Sequence, residues 1–336
     1  MFKVGIIGMG NIARGAHLNA YRQMEKENGP AVVEACCDIR PEMMEVLKEK
    51  GVRAYTDVDE MLKQEQGKLD YIDVCVPTFL HAEVAIKAME AGFHVISEKP
   101  MARTVEQAEA MIEASRRTGK LLMIAYCNRF YEAACYVKEM IDSKELGEVR
   151  TAEFKREGGS ADSMGWNDWF HDGELSGGAT LDFHIHDVDM IRWMFGMPNA
   201  VSTAAASYVT KGGYDTIATN YYYDNHVYVH ASCNWLVPHN KFNSRVIRVN
   251  FDKGYIYIDR TAGKFVFIKM TEDGIETDMT DKLVWNSTYN EIKYFCECLA
   301  SGKPVGRCLP EESRDSVKIV MAEIESADKD GERIAL

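Results

Sequence analysis

Val4-Gly-Ile-Ile-Gly-Met-Gly-Asn-Ile-Ala13 constrains the fold more than any other stretch of the chain. An apolar run rich in β-branched residues turns through Gly8 and Gly10 and enters a segment patterned like a helix. A strand, a tight glycine turn and a helix N-terminus, in that order, aim free backbone N–H groups and the positive helix end at a diphosphate. Gly8 then permits the sharp turn and Gly10 the close approach of the phosphates. Asn11 and Ile12 fall in the first helical turn, and Ala13 lets the helix pack on the strand. Glycines also serve ordinary turns. What lifts this GxGxxA is its place at the head of a chain that goes on to alternate strand and helix.

Ala31–Cys37 reads as the second strand and runs into Asp38, where a carboxylate can accept both hydroxyls of an adenosine ribose and repels a 2′-phosphate. Its competing reading is an Asp that merely starts the turn before Pro41. Asp38 therefore sets an expectation of NAD, with NADP disfavoured, and Arg40, two residues on, tempers it because it is placed to stack on an adenine or pair with a phosphate. Tyr71–Val76 is a buried strand closed by Pro77, and Pro77, Thr78 and His81 carry its carboxyl end into the next helix. His81 is expected to cap or line that helix rather than perform chemistry. Phe93–Ser97 is the next strand, and Glu98-Lys99-Pro100 puts an ammonium at the same ligand-binding edge. Thr104 with Gln107 makes a capping box. With Leu121–Ala125, the repeats describe a doubly wound parallel sheet.

After residue 126 the texture changes. Gly147–Lys155 alternates as a strand, and a helix is expected between Leu181 and Phe195. From Val201 to about Thr280 the strands are of antiparallel type, with tyrosines (Tyr208, Tyr221 to Tyr223, Tyr228) that call for a covering helix or another subunit. Thr288 and Glu291 are expected to cap a helix to about Leu299, and Glu311–Ala327 forms the last helix. The fold class is therefore α/β. A Rossmann parallel sheet occupies 1–126 and an α+β domain on an open, predominantly antiparallel sheet occupies 127–310. A C-terminal helix in 311–336 is expected to return to the first domain.

At 336 residues and 46% hydrophobic, the chain divides more naturally into two cores than one. A formal charge of −13 leaves no basic surface for nucleic acid or anionic lipid. The N-terminus reads as neither a signal peptide nor a membrane span. Nine cysteines without C-x-x-C spacing read as buried free thiols in a reducing compartment, which points to the cytoplasm.

Gly177-Gly-Ala-Thr-Leu-Asp182-Phe-His184-Ile-His186-Asp187-Val-Asp189 is the second informative stretch. On a regular helix Asp182, His186 and Asp189 share a face, and a carboxylate one turn from an imidazole fixes its tautomer and raises its basicity. The plain alternative is a helix start capped by Asp182 with structurally satisfied histidines. A zinc site from Asp182, His184 and His186 is disfavoured, because residues two apart diverge on a helix; no metal is expected. Lys99 is either a solvated lysine or an ammonium that holds a developing alkoxide. Asn128 and Arg129 are candidates for substrate hydroxyls, though Arg129 equally suits an ion pair. Trp166, Asp168 and Trp169 suit a sugar ring, although tryptophan is as often core.

These motifs together resemble those of the glucose–fructose oxidoreductase, inositol dehydrogenase and rhizopine-catabolism (Gfo/Idh/MocA) family. Gly8-Met-Gly10-Asn-Ile-Ala13 is similar to its nucleotide loop, and Glu98-Lys99-Pro100 to its EKP motif. Asn128-Arg129-Phe130 and Asp182-x-x-x-His186-Asp187-x-Asp189 resemble its later segments. The resemblance implies Lys99, Asp182 and His186 as the catalytic group, and a second-domain sheet that supports homodimers or homotetramers. The family often has a small residue where His184 stands, which would put a further polar group near the substrate. The expected activity is NAD-dependent oxidation or reduction of a secondary alcohol or ketone on a cyclic sugar, inositol or glycoside. Two alternatives stay open: a redox-neutral sugar conversion with retained NAD, and a non-catalytic NAD-binding regulator.

Overall fold

The computed structural model describes residues 1–159, 166–237, 242–282 and 286–336. It groups into two compact units, residues 1–127 with 286–314 and residues 128–285 with 315–336.

In the first unit, β1 (Phe2–Ile7), β2 (Ala31–Cys37), β3 (Arg53–Tyr55), β4 (Tyr71–Val74), β5 (His94–Glu98) and β6 (Leu122–Ala125) form one sheet. Its order is β3-β2-β1-β4-β5-β6 and every pairing is parallel. β4 and β6 are buried throughout, as expected for strands covered on both faces. Strand order reverses between β1 and β4, the place where open α/β sheets take their ligands. The edge strand β3 has three residues, too few for a period to announce it. The helix Val105–Thr118 starts as expected, with the Thr104 hydroxyl accepting the Gln107 N–H at 3.2 Å, and stops at Gly119 in the left-handed region.

One expected cap is corrected. The helix Ser287–Ser301 has no side-chain cap, and Glu291 is buried on the same stripe as Ile292, Phe295 and Cys296. Phe295 meets Tyr71 edge to face at 5.3 Å. Helical period places Glu291 one turn before Phe295, so it faces inward with that ring.

The second unit holds β7 (Val149–Gly159), β8 (Ala200–Ala206), β9 (Thr216–Tyr222), β10 (Tyr228–Val237), β11 (Asn243–Phe251), β12 (Gly254–Thr261), β13 (Lys264–Thr271), β14 (Glu276–Asp278) and β15 (Ile334–Ala335). Their order is β14-β13-β12-β11-β7-β10-β9-β8-β15. All pairings are antiparallel except β7 with β10. β9 alternates buried and half-buried along its length, the signature of a sheet covered on one face. Tyr221 is buried on that face and Tyr223 lies 6.4 Å from the ring of Phe195, whereas Tyr208 and Tyr228 are exposed.

The last helix, Pro310–Asp328, contributes to both units. Glu311 and Arg314 pair with Arg116 and Glu109 at 2.9 and 2.6 Å within the first. Residues from 315 onward belong to the second, where Asp315 pairs with Arg192 at 2.9 Å, Glu323 accepts from Tyr221 at 2.6 Å, and β15 joins β8. The return expected of 311–336 thus stops at Arg314, because the buried face of the antiparallel sheet takes the rest. Among the described residues no helix is long and apolar enough to cross a membrane.

Asp215, fully buried ahead of β9, organises one corner of this sheet. It accepts the backbone N–H groups of Tyr208 and Val209 at 2.5 and 2.7 Å, the Trp235 indole N–H at 2.7 Å, and the Thr210 hydroxyl. Burial pushes its pKa up, but the donors, led by Thr210, outweigh burial and hold it below the usual carboxylate value. Asp215→Asn, which turns an amide NH2 toward donors, is expected to cost about 2–3 kcal/mol at neutral pH in urea unfolding. The depressed native pKa places this stabilisation above the unfolded pKa of about 4, and it is lost as pH falls through the native value. The gap between wild type and variant should therefore close in acid.

Candidate active site

β1 leaves the first sheet through Gly8, whose φ of +91° only glycine adopts without strain. A Cβ there would lie 2.6 Å from the carbonyl carbon of Cys75, so the turn presses directly on the backbone that follows β4. At Gly10 the opposite holds: a Cβ would meet nothing within 4 Å. Helical backbone begins at once, passes through a π turn, Ala13–His17, and continues as the α-helix Leu18–Lys26. Asn11 and Ile12 are exposed at its start and Ala13 is buried against the sheet. Open space before a helix N-terminus, reached by a glycine turn, is what a diphosphate requires.

Asp38 follows β2 as the sequence anticipates, but its surroundings were not legible. One oxygen accepts the Met9 N–H at 2.8 Å, which ties the glycine turn to the end of β2. Arg40 folds back onto the carboxylate through its backbone N–H, Nε and Nη2 at 2.9, 3.0 and 3.1 Å. Burial raises the pKa of Asp38, and the Arg40 hydrogen bonds overcome this and lower it.

Pro77 is half-buried and Thr78 buried in the short turn after β4. His81 is corrected from a cofactor-edge residue to an interior one. Its Nδ1 lies 2.7 Å from the carbonyl oxygen of Pro100 and its Nε2 2.9 Å from that of Val76. Glu98 is corrected likewise: its carboxylate turns inward to His17 at 2.9 Å and to the Lys99 N–H at 3.0 Å. Lys99 is half-buried at the end of β5, and the Lys99–Pro100 peptide is cis.

His17 escaped the sequence reading. Ala13, His17, Tyr21 and Met24 form the buried stripe of the first helix, so the available signal was a histidine and a tyrosine at apolar positions of a helical period. His17, Asp73 and Cys75 bring potential metal-ligating atoms within 4.8 Å of one another. Those atoms are engaged with each other instead: Nδ1 of His17 meets Asp73 at 2.8 Å and the Cys75 thiol donates to Asp73 at 3.4 Å. Burial pushes that thiol well above its ordinary pKa, which keeps it a poor ligand.

In the second unit, Gly178 adopts φ +68° and a Cβ there would lie 2.7 Å from the carbonyl oxygen of Tyr214. A π turn, Thr180–His184, follows and leads into the α-helix Ile185–Phe195. Asp182 and His186 keep matching half-buried positions, whereas Asp189 leaves the face the three were expected to share. Asp189 points inward to a bidentate pair with Arg129, both bonds 2.8 Å, and accepts from Ser316 at 3.1 Å. Asp187 makes a second bidentate pair with Arg156 at 2.8 and 2.7 Å. Both pairs are buried, while Asp182 and His186 stay half-buried.

Two further assignments are corrected here. Arg129 is fully buried on Asp189, not turned to a substrate hydroxyl. His184 is also fully buried, with Nε2 3.2 Å from the Tyr221 hydroxyl and 3.4 Å from Glu323. Of the i, i+2 pair, His184 faces inward and His186 stays half-buried. Asn128 is half-buried, and its Nδ2 has no hydrogen-bond partner among the described residues. Trp166 is exposed, and Trp169 stacks on Phe170 with centroids 4.0 Å apart. Between them Asn167 and Asp168 adopt left-handed φ values, and Asp168 pairs with His171 at 2.7 Å.

Residues 2–126 match the family model described as the oxidoreductase family, NAD-binding Rossmann fold, and residues 135–257 match the Gfo/Idh/MocA C-terminal domain. The chain belongs to the Gfo/Idh/MocA oxidoreductase family. Its first domain is thereby an NAD-binding Rossmann domain. D-glucoside 3-dehydrogenase of Escherichia coli is 35% identical over 213 residues, 62% of this chain and 58% of that protein. Levoglucosan dehydrogenase of Pseudarthrobacter phenanthrenivorans is 30% identical over 228 residues, 64% of this chain and 58% of that protein. These matches span less than two thirds of the relatives' own lengths. Among solved structures, levoglucosan dehydrogenase in complex with NADH and levoglucosan superposes with a TM-score of 0.86 at 22% identity, covering 100% of this chain and 99% of that one. That likeness is one of fold.

For this Gfo/Idh/MocA chain, Arg129→Met is expected to lose about 3–5 kcal/mol in urea unfolding, because Asp189 is left buried without its counter-charge. Adding Asp189→Leu should recover most of the loss. A substrate-binding arginine would instead raise KM and leave stability unchanged.

Proposed function

We propose that this chain is an NAD-dependent oxidoreductase that moves a hydride between the cofactor and a secondary alcohol carbon of a cyclic sugar, inositol or glycoside. The observation that carries the reading is the sheet edge at Gly8. The turn there is too tight for any side chain, the space before Gly10 is open, and Asp38 stands at the next strand end. Family membership and the two sugar dehydrogenases named above support the substrate class.

Gly8, Gly10, Asn11 and Ile12 are the seat for the diphosphate, Asp38 accepts from the ribose hydroxyls, and Pro77 and Thr78 line the same edge. When bound, the nicotinamide ring supplies the hydride acceptor or donor. Lys99 holds the negative charge that grows on the reacting oxygen. His186 takes the hydroxyl proton on an imidazole nitrogen, and Asp182 orients that ring and raises its basicity. These three roles rest on the family motifs. Trp166 and Trp169 offer indole faces to the C–H side of a ring, and Asn128 a carboxamide to its hydroxyls. With Arg129 held by Asp189 there is no arginine clamp for a carboxylate at this motif, which favours a neutral polyhydroxylated ring. Exposed Tyr208 and Tyr228 support self-association through the open sheet as a dimer or tetramer. Nine free cysteines fit a reducing cytoplasm.

The test is NADH formation across a panel of sugars, inositols, glycosides, sugar phosphates and 2-hydroxy acids. Turnover confined to the phosphates or hydroxy acids overturns the reading. Lys99→Met should lower kcat by about a hundredfold or more while leaving the NAD dissociation constant nearly unchanged.

Cofactor choice gives a separate expectation. NAD should bind at least about tenfold more tightly than NADP, about 1.4 kcal/mol, because a 2′-phosphate meets the Asp38 carboxylate. Asp38→Ser should narrow the difference, and Arg40→Ala should widen it by removing the nearby guanidinium. Equal dissociation constants for the two cofactors at fixed salt would contradict this.

A further inference from the structure

His17 lies between two acids from different strands. Its Nδ1 is 2.8 Å from Asp73 on β4 and its Nε2 is 2.9 Å from Glu98 at the end of β5, and the side chain is wholly buried. Asp73 also accepts from the Tyr21 hydroxyl at 2.8 Å and from the Cys75 thiol. The second oxygen of Glu98 accepts the Lys99 N–H. Carboxylates only accept hydrogen bonds, so both ring contacts form together when both nitrogens carry protons. Glu291 is the further acid coupled to this group. Burial drives its pKa well up, and neither of its oxygens has a hydrogen-bond partner among the described residues. On the far side of the same turn, His81 meets the carbonyl oxygen of Pro100.

We infer that His17 is a positioning residue for Lys99: held doubly protonated between Asp73 and Glu98, it fixes through Glu98 the backbone turn from which Lys99 projects, and ties that turn to the helix of the glycine loop. This rests on the reading of Lys99 as the group that holds the reacting oxygen. A buried ion triad is a weak source of stability compared with apolar packing. What it contributes is geometry, and a lysine displaced by about 1 Å loses about a hundredfold in rate.

The experiment uses the NAD-bound protein and its variants His17→Gln, Glu98→Gln and the pair. Hydrogen exchange of the Lys99 amide, which needs no turnover, should quicken by about tenfold or more in each single variant, while amides of the helix Val105–Thr118 keep their rates. With a sugar substrate, kcat should fall by about a hundredfold, with the NAD dissociation constant little changed. The double variant should be no slower than the worse single one, since both changes break the same bond. Unchanged Lys99 exchange, or losses that add in the double variant, overturn the inference. Fast Lys99 exchange in His17→Gln of a protein that turns over no sugar supports the positioning role and overturns the dehydrogenase reading alone. Should His17→Gln fail to fold, imidazole 15N shifts of the wild type decide: a doubly protonated His17 at neutral pH supports the clamp, and a neutral ring overturns it.

Discussion

No atom can be added to Gly8. Its backbone lies against the backbone after β4, and the smallest side chain would collide with Cys75. That contact sets where the first helix begins, because the chain has turned and become helical by Gly10. Met9 is then in reach of Asp38, and His17 arrives between the ends of β4 and β5. The carboxyl edge of the parallel sheet is thus one connected set of positions: the glycine turn sets the helix, and the helix sets the histidine. The histidine in turn sets Glu98, beside Lys99. A substitution at Gly8 would displace all of them together.

The second unit solves the same problem with charge. Two arginine–aspartate pairs, Arg129 with Asp189 and Arg156 with Asp187, pin one helix to its surroundings with no freedom to slide. Bidentate geometry demands a fixed plane and distance, so such pairs act as a register even where their net energy is small. A π turn, Thr180–His184, stands just before them. His184 joins Tyr221 and Glu323 in the interior, and the half-buried positions fall to Asp182 and His186.

Much of this was legible in the chain. Ala31–Cys37 was found to the residue, and the Thr104 cap was present in the pattern. Boundaries drifted where a side chain competes with the ladder. The antiparallel run expected from Val201 opens with a strand at Ala200–Ala206, and Asp215 holds the N–H groups of Tyr208 and Val209 beyond its end. The edge strands β3, β14 and β15 have two or three residues each, too short for a period to register. Glu291 was misjudged for a different reason. An acid early in a helix usually caps it, and only its burial on the stripe of Ile292 and Phe295 shows that this one faces inward.

Composition and spacing by themselves determined the layered α/β order, the glycine turn and the acid after β2, because these depend on local backbone preferences and short-range periodicity. They also marked which residues are capable of chemistry. Tertiary structure alone decided which of those residues are available for it. Arg129, His81, Glu98 and His184 are chemically suited to a ligand, yet each is taken up by a partner distant in sequence: Asp189, Pro100, His17 and Tyr221. A buried polar group must find such a partner or lose several kcal/mol, about 1–3 for each unmade bond. Where the partner sits depends on the whole chain's path, and no window of sequence contains it.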